Sequence, residues 1–192
     1  MDAITVLRED HEKVLAMLDQ LEIALNLSHG EAQGLEPHKD LLATLVIAES
    51  QHEAVEEQVF WPAVRKHVPG GDALAAHAVE QETQAKHVLD RIDSAIGPLH
   101  PELTTLVADF IKDGRAHIAY EQEQVWPKLQ QSLDADALDE LGEKIAKAKN
   151  TAPTRPHPHT PPKPGVLKTA GAGASLVDRA RDAITGRGKH RP

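Results

Sequence analysis

The sequence predicts an all-α protein: an up-down antiparallel four-helix bundle with a short fifth helix and a proline-rich, basic C-terminal tail. Three observations predict it. Apolar residues recur at the helical period throughout residues 1–150, and no credible strand run interrupts them. Glycine and proline punctuate the pattern at intervals that suit helices of about 20–25 residues. Composition then changes near Asn150, where prolines and basic residues replace the amphipathic repeats.

Leu7, Val14, Leu18, Leu21 and Leu25 share one face and mark a first helix over about 4–27. Leu41, Leu45, Ala48, Val59 and Phe60 mark a second, expected to end at Trp61-Pro62 because proline lacks the N–H a helix interior needs. Leu74, Ala78, Ala85, Leu89, Ile92 and Ile96 mark a third, closed by Gly97-Pro98. Leu103, Leu106, Phe110 and Val125 mark a fourth, expected to end at Trp126-Pro127. Leu138, Leu141 and Ile145 lie on one side of a shorter fifth helix, about 134–149. Modest loops between long amphipathic helices favour antiparallel neighbours with a shared apolar interior.

Residues 151–192 hold eight Lys/Arg against two acidic residues, and seven of the 13 prolines. Against a chain total of −9, that tail leaves a net −15 on residues 1–150. A stretch such as TAPTRPHPHTPPKPG has little to bury and reads as a disordered linker. Beyond it, Ser175 to Gly186 has the pattern of a short amphipathic helix, too short to be stable alone in water. The tail is suited to contact an acidic partner or an anionic membrane surface.

Composition removes several functions. With no Cys there are no disulfides, thiolate metal sites or cysteine nucleophiles. An acidic chain with 3% aromatics is ill suited to nucleic acid, which demands a basic surface and stacking platforms. No stretch has the roughly 20 apolar residues that span a bilayer, and the N-terminus lacks the pattern of a secretory signal. The expectation is a cytoplasmic protein.

The polar residues inside the apolar stripes carry the chemistry. His11 takes a core position between Leu7 and Val14. On the second helix the stripe runs Leu45, Ala48, His52, Glu56, Val59; on the fourth it runs Phe110, Gly114, His117, Glu121, Val125. Each His-Glu pair is spaced i, i+4 on one face. HEAVEEQVFWP and HIAYEQEQVWP, offset by 65 residues, share the pattern H-x-x-x-E-x-x-x-x-W-P, so two related halves would bring both motifs together. A lone core histidine is usually satisfied by a hydrogen bond. Three imidazoles and two carboxylates at one level of an apolar core are costly unless a cation neutralises them. Imidazole nitrogen and carboxylate oxygen suit iron or manganese, and a glutamate can span two cations.

This ordered set resembles the hemerythrin-like HHE cation-binding family. That family draws one His from the first helix, H-x-x-x-E from the second, a His from the third and H-x-x-x-E from the fourth. The resemblance covers roughly residues 1–130 and is closest to an actinobacterial-type branch with an EEQVF-aromatic-P segment and a TAPTRPHP tail, present here at Glu56 to Pro62 and Thr151 to Pro158. It implies two non-haem iron ions, oxo- or hydroxo-bridged, spanned by Glu56 and Glu121, with manganese as the other metal that suits the donors. It also implies a small diatomic ligand or peroxide as partner.

The third helix departs from the family pattern. Measured from His87, the neighbouring apolar residues fall at +1, +2, +5 and +9, which turns it away from the core. Measured from Glu82, they fall at +3, +7, +10 and +14, as they do from His11. Glu82 is therefore the expected third-helix ligand, with His77 on the flank of the core face as the fallback. The candidate ligands are His11, His52, Glu56, Glu82, His117 and Glu121. Replacing an imidazole by a carboxylate favours harder, more oxidised iron, and so favours reaction with an oxidant over reversible oxygen carriage. Glu53, Glu57 and Glu123 read as a solvated face. Tyr120 neighbours Glu121; Phe60, Trp61, Phe110 and Trp126 read either as walls of the pocket or, the preferred reading, as packing at the bundle ends. The leading function is binding or reduction of O2, peroxide or nitric oxide in sensing or stress response. The alternatives are iron storage, delivery or iron-centre repair, and an interaction module whose metal is structural.

Overall fold

The computed structural model describes residues 1–97, 99–158, 177 and 178. Helix α1 spans Ala3–Leu27 and starts at Asp2, whose carboxylate accepts the Thr5 backbone N–H at 3.0 Å. A 3-10 turn, Ala32–His38, leads into α2, Lys39–Val55. A π-helical turn, Glu56–Phe60, joins α2 to α3, Trp61–His67. Gly70, at φ 74, reverses the chain into α4, Gly71–Ile96. Helix α5, Leu103–Tyr120, passes through a second π-helical turn, Glu121–Val125, into α6, Trp126–Ser132. Asp134 caps α7, Ala135–Lys149.

Four rods therefore make the bundle: α1, α2–α3, α4 and α5–α6. The fold is the expected helical bundle. Two expected helix ends are corrected, because neither rod stops at its Trp-Pro pair. Pro62 and Pro127 cannot donate to the carbonyl four residues back, and their rings would collide with it in a regular helix. Widening the turn relieves both problems. The Trp61 N–H bonds the Glu56 carbonyl and the Trp126 N–H bonds the Glu121 carbonyl, five residues back in each case. Each proline then stands in the first turn of the next α-helical stretch, where its missing N–H is harmless.

Helix α7 lies against α1 and the α2 rod. Gly142 permits this approach, since a Cβ there would stand 2.2 Å from the Met1 carbonyl oxygen.

The interior is divided. One apolar cluster holds Val14, Leu18, Leu45, Leu89, Ile92, Phe110 and their neighbours. The other holds Leu7, Val55, Phe60, Trp61, Ala78, Val125 and Trp126. His11, His52 and Glu82 fall between the two in their rods' sequences, and His117 stands at the end of the first cluster's run on α5, so a polar layer separates two apolar ones.

Residues 151–158, expected as the start of a disordered linker, pack on the bundle instead. Ala152, Pro153, Thr154 and Pro156 are buried, and Arg155 pairs with Asp93 of α4 at 2.7 Å. Small buried residues and the Arg155–Asp93 pair contribute to holding the segment where composition alone offered no core. The helix expected over 175–186 lies outside the described residues except for Val177 and Asp178; Asp178 Oδ2 stands 3.0 Å from His157 Nε2. Among the described residues, no helix is long and apolar enough to cross a membrane.

Candidate metal centre

The polar layer brings together side chains from all four rods. His11 comes from α1, His52 from α2, Glu82 from α4 and His117 from α5, while Glu56 and Glu121 open the two π-helical turns. Apart from His117, none of the six is more than 4% exposed. His11 and His52 point their Nε2 atoms at each other, 3.1 Å apart. Glu121 receives two imidazoles, His117 Nε2 at 3.0 Å from Oε1 and His11 Nε2 at 3.3 Å from Oε2. His52 Nε2 lies 3.3 Å from Glu56 Oε2.

Two quartets emerge. His11, His52, Glu56 and Glu121 each offer a donor atom, all within 4.8 Å of one another; so do Glu56, Glu82, His117 and Glu121. Glu56 and Glu121 belong to both.

The electrostatics of this layer are unfavourable without a cation. Burial, with Glu121 and Glu82 close by, pushes the Glu56 carboxyl well above its usual range. Burial and Glu57 push Glu82 up as well, against the opposing pull of Lys86 and Trp61. Burial also pulls upward on Glu121, but the imidazoles of His117 and His11 outweigh it and hold the carboxyl below its usual range. Burial drives His11 down, whereas at His117 the facing carboxylates overcome burial and raise it. Both oxygens of Glu56, both of Glu121, Glu82 Oε2 and His117 Nε2 are shut off from solvent without an aligned hydrogen-bond partner. Stranding such groups costs about 1–3 kcal/mol each, more when charged. Converging lone pairs of nitrogen and anionic oxygen are what a hard or intermediate cation requires, so the residues present fit a metal.

The neighbours hold these donors in place. The Trp61 indole N–H donates to Glu82 Oε1, which leaves Oε2 facing the layer. Trp126, its counterpart in the second half, stacks on His11 with ring centroids 4.9 Å apart. His117 Nδ1 meets Gln81 Oε1 at 3.0 Å, and His11 Nδ1 faces the Gln122 amide at 3.2 Å. Behind His52, Asp10 Oδ2 lies 3.8 Å from Nδ1, and Lys149 at the end of α7 grips both Asp10 oxygens at 2.6 Å. Burial opposes ionisation of Asp10, yet His52 and Lys149 bring it down to about 2.

The hemerythrin HHE cation binding domain matches residues 2–149. The chain belongs to the hemerythrin HHE cation-binding family. No curated protein and no solved structure matches it. Within this hemerythrin domain the six residues singled out from the sequence lie in one layer, and its two quartets are groups that can hold a metal. His77 and His87 are exposed and stand outside both quartets; the His77 ring sits edge-on to Tyr120.

Two expectations about the surroundings are corrected. Glu53 and Glu57 are buried, not solvated, and Glu57 pairs with buried Lys86; Glu123 is exposed as expected. Trp61 and Trp126 do pack the bundle but also touch Glu82 and His11. Sequence reasoning missed Asp10, Glu49, Lys86 and Lys149. A signal for the buried charges existed in α2, where Leu41, Leu42, Leu45, Val46, Ile47 and Ala48 leave no polar face for Glu49 and Glu53 to share.

Proposed function

We propose that this hemerythrin domain holds two non-haem iron ions and binds or reduces a small oxidant, O2, peroxide or nitric oxide, in sensing or in the response to oxidative or nitrosative stress. One observation carries the reading: two donor quartets share Glu56 and Glu121, the arrangement two carboxylate-bridged cations need. His11 and His52 would serve one ion, Glu82 and His117 the other; manganese fits the same donors. When bound, iron supplies Lewis acidity and electron transfer that the side chains lack.

The chain's own residues prepare the place. Gln81 and Gln122 engage the outward ring nitrogens of His117 and His11, turning each Nε2 inward. Two apolar clusters exclude water from above and below the layer. Three carboxylates among six donors favour higher oxidation states. The test is iron per chain with a visible spectrum in the wild type, His52→Ala and His117→Ala. Two irons and a charge-transfer band are expected in the wild type, with iron lost and the band altered in each variant. A reconstituted wild type that retains no iron sinks the reading.

A further inference from the structure

A cavity of about 180 Å³ leads from the surface between α4 and α5 to the imidazoles of the polar layer. Exposed Gln84 and Asp113 stand at its outer part, while His11 and His52 form its inner wall. Two further carboxyls line it, Glu49 and Glu53, one turn apart on α2 and only 7% and 3% exposed. Neither belongs to a quartet. Glu53 Oε2 is sealed from solvent and has no hydrogen-bond partner. Among the described residues, no lysine or arginine lines the wall. At roughly 30 Å³ per water molecule, the space accommodates a partly hydrated ion. Its volume exceeds what a diatomic ligand requires.

Lys86, which does not line the cavity, attracts Glu53 while paired with Glu57, yet two buried carboxyls on the way to a centre remain a standing cost in an empty cavity. A divalent cation turns them to advantage, because it displaces the proton that burial favours and meets carboxylate oxygens within low-dielectric walls. The net −15 of residues 1–150 draws cations to the bundle in the first place. We propose that this cavity is the passage by which a divalent metal cation reaches the centre, with Glu49 and Glu53 as a transient landing between Asp113 and the imidazoles of His52 and His117. The proposal rests on the metal-binding reading above. Because Glu49 and Glu53 lie outside the quartets, they govern the rate of arrival and not the number of ions held.

The experiment mixes the metal-free full chain with cobalt(II) in a stopped-flow instrument at low ionic strength and follows the ligand-field absorbance. In Glu49→Gln/Glu53→Gln the uptake rate should fall by at least about tenfold, with the final cobalt per chain unchanged. A wild-type rate overturns the proposal. A lowered final stoichiometry overturns it too, since the two carboxyls would then be resident ligands. If the double variant loses its helical circular dichroism, Gly114→Leu carries the test. Gly114 lines the cavity, and a Cβ there would meet nothing closer than 3.7 Å, so the longer side chain plugs the space without altering charge. Slow uptake is again expected, and a wild-type rate again overturns the passage. Failure of the wild type to take up cobalt at all would strike the metal-centre reading itself, and this proposal with it.

Discussion

Glu82 shows how much one side chain decides. Its place on α4 was legible from spacing alone, because the apolar residues after it fall at the same intervals as those after His11. What the sequence could not reveal was its partner, since the Trp61–Glu82 bond crosses from one rod to another. The two tryptophans offer an internal control. Trp61 donates to Glu82, whereas the Trp126 indole N–H has no partner. Trp61→Phe is expected to weaken metal affinity about 10–100-fold, the usual effect of losing a bond that orients a ligand. Trp126→Phe should change it much less. Equal losses in metal titrations of the two variants would show that packing, and not the bond, matters.

The buried carboxyls also set a pH dependence. Burial raises Glu49, Glu53, Glu56 and Glu82 above their ordinary value of 4.5. Over the window above that value the folded metal-free chain keeps protons that the unfolded chain has released, so its stability falls as pH rises. Glu121 and Asp10 are lowered and act below that window, where their contribution is lost as pH falls. His11 and His117 shift in opposite directions and oppose each other. Metal-free protein should therefore melt at a lower temperature at pH 8 than at pH 5.5. A melting temperature that rises across that interval would refute the assignment.

Among the elements, the amphipathic helices were readable and their joints were not. Period and punctuation locate α1, α4 and α7 to within a few residues. The Trp-Pro pairs look like stops because proline usually ends a helix, and only the wide turns at Glu56–Phe60 and Glu121–Val125 allow each rod to continue. Helix α7 was expected, but its seat was not: nothing in its own sequence says that it covers α1 and α2, or that Lys149 reaches Asp10. The seat depends on Gly142. Gly142→Ala should destabilise the fold by about 1–3 kcal/mol through overpacking against the Met1 carbonyl. Gly114→Ala meets only ordinary contacts and should stabilise by about 0.5–1 kcal/mol, since alanine suits a helix interior better. Denaturant unfolding of both variants checks the contrast, and a tolerated Gly142→Ala would mean that α7 sits differently.

At the scale of the whole molecule, the bundle and its polar layer stand apart from the tail. The layer draws on residues 11–121, and α7 adds the Lys149–Asp10 clamp. Removing residues 151–192 should leave metal content and visible spectrum unchanged. It should lower the melting temperature by a few degrees, through loss of the Arg155–Asp93 pair and the buried residues beside it. A lost spectrum would mean that the tail completes the centre. Composition located the break at Asn150 but could not foresee that Ala152, Pro153 and Thr154 would be buried, or that Arg155 would reach Asp93, 62 residues earlier in the chain.

The pairing of each tryptophan with a different quartet has a practical outcome. The chain contains only two such residues, one bonded to Glu82 and one lying flat on His11. They are native fluorophores at known addresses, and each single-tryptophan variant keeps one of them. Emission from Trp61 and from Trp126, recorded separately, would report on the surroundings of Glu82 and of His11 as metal is added, without any dye or label.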